Sequence, residues 1–324
     1  MNITIVGSGN IAHALIACLN LEKTDNIFVL TSKVFVSDII KTNLEQCKGS
    51  IDVISNNPSE VIPKSDLIIL TVPAHIRKSV ISKISPFIRS DSIIGSFPGV
   101  AGFNEEVEEL IKVDINIFAS QRVPYISRIQ KKGFLVNVDK KDEIYVAIKY
   151  NSQSVKNLLE KLLGLRVNIL NSFLEVNLSN SNPILHSARL YDIITNSQID
   201  KGDIYFYKEW TDNASKILLA MDDEFMQIVK QQKLNIKSLK EHYAVANYNE
   251  MTQKIKSIKS FQNIKVPIIR DVNRNILDIS SRYFTEDIDK SLFYIKEYAK
   301  IKSIDTPNID KVFNRLKKYK DSSL

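Results

Sequence analysis

A doubly wound α/β N-terminal domain followed by an all-α C-terminal domain is the fold class that this sequence predicts. Three observations carry it. Short apolar runs alternate with helix-period segments through roughly the first half. Eight of the nine glycines lie before residue 165, and only Gly202 lies after. Long helix-period stretches, such as Ala214–Lys230 and Asp287–Ile301, fill the remainder.

Ile3–Val6 is the first expected strand and Ile11–Leu21 the first helix. Ile27–Leu30 is the second strand. Asp66–Val72 is almost continuously apolar, as a strand buried on both faces should be. Ser92–Ser96 and Ile115–Phe118 read as two more. Strands that alternate with helices build a parallel, doubly wound sheet. The loss of glycine then removes the tight turns that strands need, so the second half reads as helical. The boundary falls in Asn171–Asn182, a stretch rich in Asn and Ser, giving domains of residues 1–175 and 176–324. Near the end, Ile309, Val312, Phe313 and Leu316 recur at helical spacing beneath the basic Lys311–Lys320 region. That pattern is an amphipathic helix with a solvated basic face.

With 324 residues, 44% of them apolar, the chain can bury the cores of two domains. The net charge is +7, but it is spread: 20 Lys+Arg face 17 Asp+Glu in residues 1–170, and 24 face 20 in the rest. Nucleic-acid binders concentrate such charge on one face or tail, so no nucleic-acid partner is expected. The two cysteines, Cys18 and Cys47, suggest neither a metal site nor a disulfide scaffold, and Cys18 should be a buried thiol. No apolar run approaches the ~18 residues of a membrane span. The first strand begins at Asn2 without a signal peptide, so a cytoplasmic protein is expected.

Gly7-Ser8-Gly9-Asn10-Ile11-Ala12 joins the first strand to the first helix. In such a turn the first glycine allows the tight bend and the second lets a pyrophosphate reach the backbone. The small third residue lets helix and strand pack closely, and the helix N-terminus offers free N–H groups to the phosphates. These six residues are the expected dinucleotide cradle of a Rossmann unit. An acid at the end of the second strand would bind a ribose 2′-hydroxyl and repel a 2′-phosphate. Thr31-Ser32-Lys33 stands there instead, so NADP(H) is favoured over NAD(H). Val72-Pro73-Ala74-His75 ends the central strand on the edge that faces a nicotinamide, which makes Pro73 a cofactor contact. Phe97–Gly102 is expected to be a further loop over the same crevice.

Four histidines are present. His13 lies in the first helix and reads as packing. His75 lies at the cofactor edge, and His242 has no evident partner. Asn182-Pro183 before His186 reads as an N-cap with proline at the first helical position, which sets His186 in a first turn. Thr285 reads as another N-cap, with Glu286 and Asp287 as first-turn acids. Acids there are ordinary capping chemistry, or they are a partner for a histidine.

The glycine turn, Leu70-Thr71-Val72-Pro73-Ala74, Phe97-Pro98-Gly99, Val123-Pro124-Tyr125, Asn182-Pro183-x-x-His186 and Arg282-Tyr283-x-x-Glu286-Asp287 occur in that order. Together, and with Trp210 through Asp222-Asp223-Glu224, they resemble the octopine/nopaline (opine) dehydrogenase family over nearly the whole chain. The resemblance implies a Rossmann domain followed by a helical substrate domain. It implies reductive condensation of an amino acid with a 2-oxo acid by hydride transfer to an imine. It also implies His186 and Asp287 as an acid–base dyad and Arg282 as a substrate-site arginine. No metal is implied, and a homodimer is left open. The chain departs from the pattern in being shorter than many animal members and in its Ser32-Lys33 pair. Two other readings remain. One is a simple 2-oxo-acid or 2-hydroxy-acid reductase like ketopantoate reductase, disfavoured because residues 176–190 lack lysine. The other is a non-catalytic dinucleotide sensor.

Overall fold

The computed structural model describes residues 1–201, 203–270 and 275–323. The chain divides into two compact units, Met1–Ser179 and Asn180–Leu324. Gly202, the last glycine, lies outside the described residues.

The first unit opens with β1 (Asn2–Val6), α1 (Asn10–Cys18) and β2 (Asn26–Leu30). Short elements follow: β3 (Ile39–Thr42), β4 (Lys48–Ser50), β5 (Val53–Ser55) and α2 (Pro58–Val61). Next come β6 (Leu67–Leu70), α3 (Ala74–Ile84), β7 (Ile93–Ser96), α4 (Phe103–Leu110) and β8 (Asn116–Ser120). The unit closes with β9 (Tyr125–Lys131), β10 (Leu135–Lys140), β11 (Glu143–Lys149), α5 (Ser152–Leu163), β12 (Arg166–Ile169) and α6 (Phe173–Leu178).

The main sheet runs β12-β11-β8-β7-β6-β1-β2-β5. Its six strands from β8 to β5 are parallel. Their order is that of the doubly wound dinucleotide-binding fold, with its switch point between β1 and β6. The residues explain the two covered faces. Ile3 and Ile5, Ile27 and Val29, and Leu67 and Ile69 pack into one core. Val6, Phe28 and Leu30, Ile68 and Leu70 pack into the other. Neighbouring residues of a strand point to opposite faces, so a continuous apolar run feeds both cores. At the far edge β11 runs antiparallel to β8, which the alternating pattern did not foresee.

A second, four-stranded sheet, β4-β3-β10-β9, was also not foreseen. Its strands are short or half-exposed, and Ile126 on β9 points to solvent, so they lack a clean period of two. This sheet explains why α1 is buried from Ala12 through Cys18. The approach is close enough that a Cβ on Gly49 would come 1.8 Å from the Ile16 carbonyl oxygen.

The second unit contains α7 (Asn182–Thr195), α8 (Asp212–Gln231), α9 (Leu239–Tyr243) and α10 (Tyr248–Ser257). A π-helical stretch, Tyr283–Leu292, runs into α11 (Phe293–Ile301), and α12 (Pro307–Asp321) ends the unit. Beside the helices of this expected all-α domain, two three-residue strands, β13 (Ile268–Arg270) and β14 (Asn275–Leu277), pair antiparallel, where β-branched Ile268, Ile269 and Ile276 favour extended backbone. On α12, Ile309, Val312 and Leu316 are buried while Lys311, Lys317 and Lys318 face outward, the amphipathic helix that the spacing predicts. Buried acids act as helix caps here. Asp222 accepts the Leu239 N–H at the start of α9, and Glu224 accepts the Asn308 and Ile309 N–H groups at the start of α12. Among the described residues no helix is long and apolar enough to cross a membrane.

Candidate active site

Three loops of the first unit meet at the carboxyl ends of adjacent strands. The glycine turn follows β1, Thr31-Ser32-Lys33 follows β2, and Thr71-Val72-Pro73 follows β6; Val6 is paired with both Leu30 and Leu70. Gly7 has φ +123°, and a Cβ there would come 2.6 Å from Thr71 Oγ1. Only glycine fits that bend. Gly9 is the opposite case, because a Cβ there would meet nothing within 4 Å. No side chain caps the N-terminus of α1. The first-turn N–H groups of Asn10, Ile11 and Ala12 therefore lack intrahelical partners, beside an open space. Bare backbone, open space and unspent N–H donors are what a pyrophosphate requires, so the residues fit a dinucleotide.

The cradle is braced from behind. Asn10 Oδ1 accepts the Ile129 N–H at 2.8 Å. His13, fully buried, holds the Gly9 carbonyl at 3.0 Å through Nδ1 and accepts the Gly133 N–H at 2.8 Å through Nε2. Those bonds fix the Nδ1–H tautomer of a neutral ring. Desolvation, with a smaller push from Lys132, lowers the His13 pKa. The predicted packing role for this histidine thus has a specific content: it ties the glycine turn to the β9–β10 connection.

At the expected adenosine end, Ser32 and Lys33 are exposed, and the Lys33 N–H donates to Thr31 Oγ1. Among the described residues Lys33 forms no ion pair. Pro73 and His75 are exposed where α3 begins. The Phe97–Gly102 loop is held by the buried Arg77, which donates to the Val100 and Ala101 carbonyls at 2.8 and 3.0 Å and pairs with Glu106. Tyr125 is core, its hydroxyl directed at the Cys18 and Leu163 carbonyls.

In the second unit, His186 Nδ1 lies 2.7 Å from Asp287 Oδ2, across 101 residues of sequence. Its other nitrogen, Nε2, lies 2.8 Å from the Tyr207 hydroxyl. A carboxylate only accepts, so the proton resides on Nδ1, and Nε2 accepts the O–H of Tyr207. Burial pushes the Tyr207 hydroxyl pKa up strongly, which keeps it a neutral donor. Rings enclose the imidazole. Tyr283 meets it edge-on at 4.7 Å and Phe206 at 5.4 Å, and those two rings stack on each other.

Helix α7 supplies a second anchor. Arg189, one turn beyond His186, is fully buried and paired with Asp192 at 2.9 Å. Its Nε donates to the Phe206 carbonyl at 3.0 Å. On the other side, the Phe206 N–H donates to Ile264 and the Val266 N–H to Ile204. Segment 204–210 is thereby fixed, with Tyr207 stacked between Phe261 and Trp210.

Two local expectations are corrected. Helix α7 is capped at Ser181, so Asn182 and Pro183 are its first two residues and His186 lies in the second turn. Asp287 orients the ring through the 2.7 Å contact to Nδ1. Thr285 is not an N-cap either. That position belongs to Arg282, and Thr285 Oγ1 donates to the Ser281 carbonyl inside the first turn. Asp287 therefore sits in the π-helical stretch, a widened winding that recurs at functional positions. Arg282 is exposed and, among the described residues, forms no ion pair. His242 is exposed beside Tyr243. Sequence reasoning missed Tyr207, Phe206 and Arg189, and it quoted Tyr283 only as part of a motif. The available signal was four aromatics within Tyr205–Trp210.

Two family models match the chain, one on each unit. Residues 169–319 match the family described as NAD/NADP octopine/nopaline dehydrogenase, alpha-helical domain. Residues 3–147 match ketopantoate reductase PanE/ApbA. The chain is 21% identical to tauropine dehydrogenase from Arabella iricolor, covering 96% of this chain and 89% of that protein. Its fold is similar to octopine dehydrogenase solved with NADH and pyruvate, with a TM-score of 0.82 at 20% identity, covering 98% of this chain and 89% of the other. It is also similar to NADP+-bound yersinopine dehydrogenase, with a TM-score of 0.76 at 12% identity, covering 98% and 90%.

Proposed function

We propose, from the premise that the helical half of this chain belongs to the octopine/nopaline (opine) dehydrogenase family, that the protein is an NAD(P)H-dependent oxidoreductase acting on a CH–NH bond. It would join the amino group of an amino acid to a 2-oxo acid and reduce the resulting imine. The observation that carries this reading is the His186–Asp287 hydrogen bond, buried among aromatic rings in that helical half.

The residues divide the work. Gly7, Ser8, Gly9, Asn10, Ile11 and Ala12 hold the pyrophosphate, and Pro73 borders the nicotinamide end. The nicotinamide, when bound, supplies the hydride. Asp287 fixes the His186 tautomer and stabilises its charged form, while His186 stores and returns the proton that imine formation requires. Arg282, an exposed guanidinium five residues before Asp287, offers a planar fork to a substrate carboxylate. Exposed Ser32 and Lys33, with no acid at the end of β2, favour NADP(H). Lys33→Glu should then reverse the preference, raising KM for NADPH about tenfold or more by loss of a charge-assisted phosphate contact. A wild-type enzyme that already prefers NADH would sink the cofactor assignment.

The match of the sheet half to ketopantoate reductase supports one alternative, direct reduction of a 2-oxo acid. NADPH and NADH oxidation measured with a panel of 2-oxo acids, with and without amino acids, separates the two. An opine-type enzyme needs both substrates, whereas full oxidation with the oxo acid alone belongs to the reductase.

A further inference from the structure

We propose that Tyr207, rather than His186, is the group that exchanges protons with substrate, with the His186–Asp287 pair serving as its reservoir. This rests on the proposed condensation chemistry. The argument begins with access to the imidazole. Its Nδ1 is taken by Asp287 and its Nε2 by the Tyr207 hydroxyl, at 2.7 and 2.8 Å. Phe206 and Tyr283 pack against the ring in T-shaped contacts. A proton leaving Nε2 therefore passes first to the tyrosine oxygen.

Tyr207 is built to stay there. Its ring stacks on Phe261 at 4.4 Å and on Trp210 at 6.3 Å, and the Trp210 indole N–H is itself fixed by Ser215. The backbone beside it is held by the fully buried Arg189, on the same helix as His186. One helix thus fixes both partners of the Nε2 contact.

The hydroxyl can act in both directions. With His186 neutral, Tyr207 donates its proton to Nε2, and its oxygen keeps lone pairs that can accept from a substrate ammonium. In the first step the ammonium gives a proton to the tyrosine oxygen as the tyrosine proton moves to Nε2. The amine is freed, and His186 becomes imidazolium against Asp287. The amine then adds to the 2-oxo carbon. In the second step the Tyr207 O–H protonates the carbinolamine hydroxyl as the C–O bond breaks, and Nε2–H refills the tyrosine oxygen. Water leaves, the C=N bond forms, and the hydride completes the secondary amine. The proton taken from the ammonium is the one returned, so the sequence balances without another reactant. Strong burial, which holds the phenol pKa up, keeps phenolate from persisting between the steps.

The test is Tyr207→Phe. General acid–base groups contribute about 10²–10⁴-fold, so kcat should fall at least about 100-fold while KM for the cofactor is unchanged. Wild-type turnover in mixed H2O/D2O should show a curved proton inventory, with two protons in flight. Fluorotyrosine at position 207, which alters phenol acidity and little else, should restore most of the activity lost in Tyr207→Phe. A cofactor-free readout accompanies these. With 15N-histidine labelling, and the His186 signal assigned by its loss in His186→Gln, the Nε2 resonance should move towards the unbonded value in Tyr207→Phe. A variant that turns over within about threefold of wild type, or faster, overturns the relay alone. So does an unmoved Nε2 resonance. Wild-type protein that oxidises neither cofactor with any substrate pair overturns the proposed function instead.

Discussion

The two halves of this chain prepare for chemistry in opposite ways. In the first unit the candidate site is backbone around empty space: Gly9 has nothing above it, and no side chain caps α1. In the second unit the candidate site is a set of interlocked side chains. His186, Asp287 and Tyr207 are each more than nine-tenths buried, and His186 is hydrogen-bonded to both of the others. A large, variable anion such as a pyrophosphate is best met by N–H groups left unspent. A proton is best handled by groups whose tautomer and orientation are already fixed.

The contrast breaks most visibly in kinetics. His186→Ala and Asp287→Asn should each lower kcat by about 10²–10⁴-fold and leave cofactor affinity intact. Stopped-flow reduction assays with cofactor titrations read both quantities, and near-wild-type turnover would refute the dyad. Gly9→Val should do the reverse. It should weaken cofactor binding tenfold or more, about 1.4 kcal/mol or above, with little change in thermal stability, because the new side chain enters open space. A large drop in melting temperature with unaltered cofactor affinity would mean that this space is not the cradle.

Proton linkage sharpens the comparison further. Asp222 in the second unit is buried, and desolvation raises its pKa from 3.8 to about 6. Between those values the folded state holds a proton that the unfolded chain has lost, so stability falls as pH rises through this window. Asp222→Asn keeps an acceptor for the Leu239 N–H and removes the ionisation. It should be more stable than wild type at pH 8 by on the order of 1–3 kcal/mol, read from denaturant midpoints. His13 in the first unit has the opposite slope, because its pKa is lowered from 6.5 by burial. The neutral-ring contribution is complete above 6.5 and is lost as pH falls below it, when the unfolded chain takes up a proton first. His13→Gln should remove that acid-side loss from a pH series of melting temperatures. An unchanged slope would mean that other groups set it.

Much of the first unit was legible because its signals are local. A strand, a glycine turn and the next helix are contiguous, and each carries its own period and its own special residue. The central strands fall close to where the apolar runs put them. The second sheet escaped notice because β3, β4, β9 and β10 owe their extended form to pairing partners far away, and their own residues alternate poorly. The same limit hid Tyr207. Nothing near it in sequence says that it would meet His186, since Arg189 and the 264–266 segment put it there.

By itself, then, the sequence determined the alternation of the central strands with their helices and the glycine turn between β1 and α1, and its motifs, through a family resemblance, named the two ends of a histidine–aspartate pair. Local propensity and short motifs suffice for these. Tertiary structure alone decided that a tyrosine closes the second nitrogen of that histidine, that Asp287 lies in a widened helical turn, and that α1 is covered by a second sheet. Each depends on contacts between residues far apart in sequence, where burial and hydrogen-bond geometry rather than neighbours set the outcome.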